Sequence, residues 1–130
     1  MPLVIVPLYA SLLAVMLIVL SVRVIRLRRA AGVPIGHGGQ HALERSMRVQ
    51  ANFAEYVPIA LILLSFVEMQ DWPWPAIHAL CIVLLAGRLT HAFGLAREPE
   101  DFRYRVTGMA MTFAVLGISA AMILAGRLLA

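Results

Sequence analysis

The chain has 130 residues, 62% of them hydrophobic, and a mean hydropathy of +0.86, too apolar for an ordinary soluble domain of this size. Its net charge of +4 comes from arginine without lysine, and most arginines flank apolar runs, which argues for membrane topology and against a nucleic-acid partner. The single cysteine, Cys81, lies inside an apolar run, so no disulfide forms within the chain and the residue reads as a small buried hydrophobe.

The first apolar run, from about Leu3 to Val24, is long enough to cross a membrane. Arg23, Arg26, Arg28 and Arg29 follow it, the reverse of a secretory signal, so it reads as a permanent span. Ala10 and Ala14 are spaced for close approach of another helix. The segment from Ala30 to Gln40 is rich in glycine and carries Pro34, which predicts a loop; its Gly36-His37-Gly38-Gly39 run does not match a phosphate-binding loop.

A second helix is expected from near His41 to near Glu68, with the span proper at about 46–69. Gln70 and Asp71, then Trp72-Pro73-Trp74-Pro75, mark a polar turn with interfacial aromatics. Pro58 is expected to leave the Ala54 carbonyl unpaired and to kink this helix. The third span is expected at about 76–95, with Arg88 and His91 on one face near its end and His78 toward the opposite end. Residues 96–105 are charged, contain Pro99 and read as a loop. The fourth span, about 106–129, carries Gly117, Ala121 and Ala125 four residues apart, a stripe suited to helix packing.

The first and third connections hold arginines and the second holds none, so the positive-inside rule places both termini outside and the arginine-rich loops in the cytoplasm. The expected fold is an all-α integral membrane bundle of four transmembrane helices, forming one domain over residues 1–130.

Arg45, Arg48, Asn52 and Glu55 share a helix stripe at the start of the second span. At about 1.5 Å per residue, Glu55 lies roughly 20 Å from Glu68, so it sits about 10 Å inside a hydrocarbon core of about 30 Å. Charged groups there need partners. Arg45, Arg48, Arg88 and Arg105 face only Glu44 and Glu55 among the obvious local acids. That surplus suits an anionic ligand that also carries an ammonium, since arginine forks bind carboxylates and glutamate receives ammonium. Glutathione has that inventory. Metal binding is not expected, because no carboxylate or cysteine completes a set with His37, His41 and His91.

Arg48-x3-Asn52-x2-Glu55-Tyr56-x-Pro58, followed by Gly87-Arg88-x2-His91, resembles MAPEG, the membrane-associated proteins of eicosanoid and glutathione metabolism, and its small bacterial members above all. The resemblance implies a homotrimer in an inner membrane, with glutathione as co-substrate bound between subunits near the cytoplasmic face. It implies glutathione contacts from Arg26, Arg48, Asn52, Glu55, Tyr56, Arg88 and His91. Arg105 would be catalytic and hold the thiolate, with Arg103 two positions away as the alternative.

The implied activity is that of a glutathione transferase or peroxidase acting on lipophilic electrophiles or hydroperoxides. A non-catalytic glutathione- or lipid-binding membrane module is the alternative. The sequence departs from the family pattern where some members carry a tyrosine (Leu95) and where the prostaglandin-synthase branch carries serine and tyrosine (Val106 and Met109), so eicosanoid synthesis is not implied. A transporter is disfavoured, because the charges gather at one edge and do not line a path across the bilayer.

Overall fold

The computed structural model describes residues 2–130 and consists of four α-helices: α1 (Ile5–Ala31), α2 (His41–Met69), α3 (Trp74–Ala96) and α4 (Phe102–Leu128). All four are long and apolar enough to cross a membrane. The apolar runs predicted the spans, but two helices extend well beyond them. α1 continues past Val24 to Ala31 and stops where Gly32 adopts a left-handed φ of 66°. There the Gly32 and Val33 N–H groups bond to the carbonyls of Arg29 and Arg28, and those two arginines lie favourably at the negative end of the helix dipole. α4 begins at Phe102, not near Val106, because Asp101 caps it and accepts the Arg103 N–H at 3.0 Å. The loop expected over 96–105 is therefore confined to residues 97–101. α2 carries Pro58 within one continuous helical segment.

The bundle is organised around α2 and α3. α1 packs on both, α4 packs on both, and α1 does not touch α4. Leu13, Ala60, Leu64, Cys81, Leu84 and Val115 are among the buried side chains that join the four helices. The closest approach is between α3 and α4, where glycines face each other. A Cβ on Gly108 would lie 2.6 Å from the Gly87 carbonyl oxygen and 2.7 Å from the His91 backbone nitrogen, and one on Gly94 would collide with Tyr104. The small-residue stripe predicted at Gly117, Ala121 and Ala125 does not serve this purpose. Gly117 and Ala121 are exposed on the single chain, and Gly117 has open space around it.

At the end of the bundle away from Arg45, Glu68 does more than mark an edge. Its carboxylate accepts the N–H groups of Val4, Ile5 and Val6 at 2.8, 2.6 and 2.9 Å, so the end of α2 caps the start of α1. Helix N-termini leave such donors without internal partners, and an apolar medium offers none. Nearby, the Tyr9 hydroxyl and His78 Nδ1 lie 2.8 Å apart, and the His78 ring meets Trp74 edge-on.

Replacing Glu68 by alanine is expected to destabilise the detergent-solubilised protein by about 1–3 kcal/mol, and replacement by glutamine by less, because an amide oxygen still accepts. Equal melting temperatures for wild type and Glu68→Ala would show that the cap is not stabilising. Gly108→Leu should lower the melting temperature much more than Gly117→Leu, since only the first forces two backbones apart, at a cost of about 1–3 kcal/mol or more.

Candidate functional site

The stripe at the start of α2 splits in the folded chain. At 3.6 residues per turn, Arg48 lies about 60° around the helix from Arg45, and Glu55 keeps nearly the same offset from Asn52. Arg45 and Asn52 turn toward the bundle, whereas Arg48 and Glu55 are exposed and make no ion pair among the described residues.

Arg45 reaches the α3–α4 loop. Its Nε lies 3.1 Å from Glu98, and its Nη1 lies 3.1 Å from Glu100 and donates to the Leu95 carbonyl at 3.2 Å. Glu100, only 11% exposed, also approaches Arg105 at 3.5 Å. The expected surplus of arginine over local acid is therefore smaller than sequence position suggested. Glu98 and Glu100, remote in sequence from Arg45, fold back onto it, and Glu44 lies 4.0 Å from His37 instead of meeting an arginine. A cleft of about 330 Å³ remains, lined by His41, Glu44, Arg45, Arg48, Glu100 and Arg105 together with Leu95.

Arg105 borders this cleft with its side chain 39% exposed, whereas Arg103 is 91% exposed and pairs with Asp101. Only the first of the two candidate arginines faces the cleft. The Arg103 backbone N–H holds the Asp101 carboxyl below the usual carboxylate range, helped by the charges of Arg103 and Arg97. The contribution of this cap to stability is present above the ordinary carboxylate pKa and is lost as pH falls through the lowered one.

Arg88 and His91 share a face as expected, but that face is inside the bundle, where each is 1% exposed. Arg88 Nη2 donates to Asn52 Oδ1 at 2.7 Å, and its Nη1 donates to Thr112 Oγ1 at 3.4 Å and approaches Met109 Sδ at 3.8 Å. The guanidinium lies 5.7 Å from the centre of the Phe53 ring. Arg88 Nε and His91 Nδ1 are buried without hydrogen-bond partners among the described residues. Met109, noted from sequence only as a departure, thus contacts the buried arginine through a sulfur that no spacing rule would have singled out.

Tyr56 is half-buried and packs edge-on against Phe113. Arg26 is exposed on α1, beside an apolar surface formed by Ile18, Val19, Val22 and Leu27, and does not border the cleft. A second groove, of about 270 Å³ and almost wholly apolar, lies between α1 and α2, with Ala10, Ala14, Phe53, Ala54 and Pro58 among its lining. One chain thus brings Arg45, Arg48 and Arg105 together and joins Arg88 to Asn52, but leaves Arg26 and Glu55 facing away from the bundle.

Arg45→Ala should release the α3–α4 loop. Amide exchange at residues 97–101 should quicken about fivefold, equivalent to about 1 kcal/mol, with helix content unchanged. Unaltered exchange would mean that these contacts do not hold the loop.

The sequence profile of the MAPEG family matches residues 6–125. The inner membrane protein YecN of Escherichia coli K12 is 41% identical over 109 residues, covering 84% of this chain and 82% of that protein. YecN of Escherichia coli O6:H1 strain CFT073 matches with the same identity and coverage. Four apolar helices and a match over nearly the whole sequence agree: this chain is an integral membrane protein and belongs to the MAPEG family.

Proposed function

We propose that the protein binds glutathione and uses it as a transferase or peroxidase on lipophilic electrophiles or hydroperoxides. The observation that carries this reading is the pair of cationic groups at the cleft, Arg48 and Arg105, with Glu55, which has no ion-pair partner among the described residues, two turns further along α2 from Arg48 on its exposed side. Guanidinium groups suit the carboxylates of the tripeptide, and Glu55 suits its ammonium. Asn52 and Tyr56 supply further hydrogen-bonding groups. Family membership supports a glutathione-related role.

The chemistry asks little of the protein. A thiol with a pKa of about 8.5 is mostly protonated near neutral pH, and a fixed cation such as Arg105 favours the thiolate. The thiolate then attacks an electrophilic carbon, forming a C–S bond as the leaving group departs. With a hydroperoxide it attacks the distal oxygen instead, and the O–O bond breaks to give a sulfenic acid and an alcohol. A second glutathione converts the sulfenic acid to a disulfide and water. The apolar groove along α1 and α2 suits a lipophilic co-substrate.

The family resemblance implies assembly as a homotrimer, and the placement of two site residues supports a shared site. Arg26 and Glu55 lie on outer faces, so both can contribute to a shared site only with a neighbouring copy. By the arginine distribution the site opens to the cytoplasm and both termini face out.

A non-catalytic binding module is the second reading, and one contact favours it. Glu100 lies against Arg105 and offsets part of the charge that would stabilise a thiolate.

Glutathione should raise the melting temperature of the detergent-solubilised protein. Glu55→Gln should weaken binding about tenfold or more without loss of fold, through loss of a charged hydrogen bond; if the assembly dissociates instead, Glu55 is a structural counter-ion. Arg105→Ala should lower turnover of an electrophilic aromatic or a lipid hydroperoxide about a hundredfold. Binding that survives this change, with no turnover in either form, would select the module, and absence of both binding and turnover in the wild type would overturn the proposal.

A further inference from the structure

Arg88 is too deeply buried to meet a ligand of this chain directly, yet its geometry acts on one that can. Arginine has donors and no acceptor, so the Asn52 atom 2.7 Å from Nη2 must be the carbonyl oxygen and the amide cannot be flipped. The Asn52 Nδ2 group is thereby turned away from Arg88. Among the described residues it has no hydrogen-bond partner, and it is not fully buried, on a residue that is itself half-buried. It sits on α2 between Arg48 and Glu55, one turn from each.

The same bond changes the amide's chemistry. A cation on the oxygen draws electron density from the amide and strengthens the N–H groups as donors. Arg88 itself contacts Asn52, Thr112, Met109 and the Phe53 ring, but no carboxylate among the described residues. A buried cation without a counter-charge is costly, and an anion on the far side of Asn52 would offset that cost through the amide.

We infer that Arg88 is a positioning residue: it locks the Asn52 side chain with its NH2 outward, so that this point of the site accepts a carboxylate and rejects a hydrogen-bond donor. The inference deepens the glutathione reading above and rests on it for the identity of the ligand. The orientation of the amide stands independently.

Asn52 is the only asparagine in the sequence, so selective 15N-asparagine labelling gives one side-chain NH2 pair in an NMR spectrum of the solubilised protein. Arg88→Met should shift that pair in the ligand-free protein, and Arg88→Lys, which keeps a cationic donor, should shift it less. Addition of glutathione should move the wild-type pair.

Asn52→Asp is the decisive variant. It keeps an acceptor for Arg88 and should melt at or above the wild-type temperature, yet it places a carboxylate against the ligand and should weaken glutathione binding about tenfold or more. Glutathione binding that leaves the NH2 pair unmoved, or equal binding by Asn52→Asp, overturns the inference, as does an NH2 pair indifferent to Arg88→Met in folded protein. An NH2 pair that responds to Arg88→Met but not to glutathione, in a wild type that glutathione does not protect against heat, upholds the locked amide and overturns the glutathione reading.

Discussion

Polar groups inside a hydrocarbon layer must be satisfied by the protein itself, and the bundle meets that constraint differently at its two ends. At one end the Glu68 carboxylate takes the three free N–H groups at the start of α1. This contact sets the register of α1 against α2, because a shift of one residue would strand a donor in an apolar medium. At the other end the buried Arg88 guanidinium reaches Asn52 on α2 and Thr112 on α4 from its place on α3. Three helices are thus held to one cation. The first anchor is a charge on backbone donors; the second is a charge on neutral acceptors, and Arg88 Nε is unpaired among the described residues.

The second anchor requires α3 and α4 to approach closely. Gly87 and Gly108 permit it, with the Gly108 position enclosed by Gly87 and His91 backbone atoms. That approach brings Thr112 and Met109 within reach of Arg88 and seals His91 beneath α4. The next turns carry the chain into residues 97–101, where Arg45 draws in Glu98 and Glu100. Packing of helices inside the bundle and the shape of the cleft at its end are therefore one problem, solved by the same glycines and arginines.

The polar stripe on α2 was legible in the sequence because seven-residue spacing returns to nearly one helical face. Its division was not. Arg45 finds partners on α3 and the loop that follows it, and Asn52 finds one on α3, whereas Arg48 and Glu55, about 60° away, find none among the described residues. Glu98 and Glu100 escaped as partners of Arg45 for the same reason: local spacing carries no information about which loop closes over which helix. Gly117 and Ala121 read as a packing stripe, yet small residues in a row do not say whether the face they line is inside the chain, and here it is outside.

Hydropathy and arginine placement by themselves determined four spans, an arginine-rich end and the residue types available there, because insertion into a membrane depends on composition along the chain. The motif from Arg48 to Pro58 with Gly87-Arg88-x2-His91 resembles MAPEG, and the family profile matches residues 6–125. Tertiary structure alone decided which polar groups were consumed in holding the bundle together and which were left to meet something else. That division depends on distances of about 3 Å between atoms remote in sequence. Glu68, Arg88 and Arg45 fall on the first side of it; Arg48, Glu55 and the Asn52 amide nitrogen fall on the second.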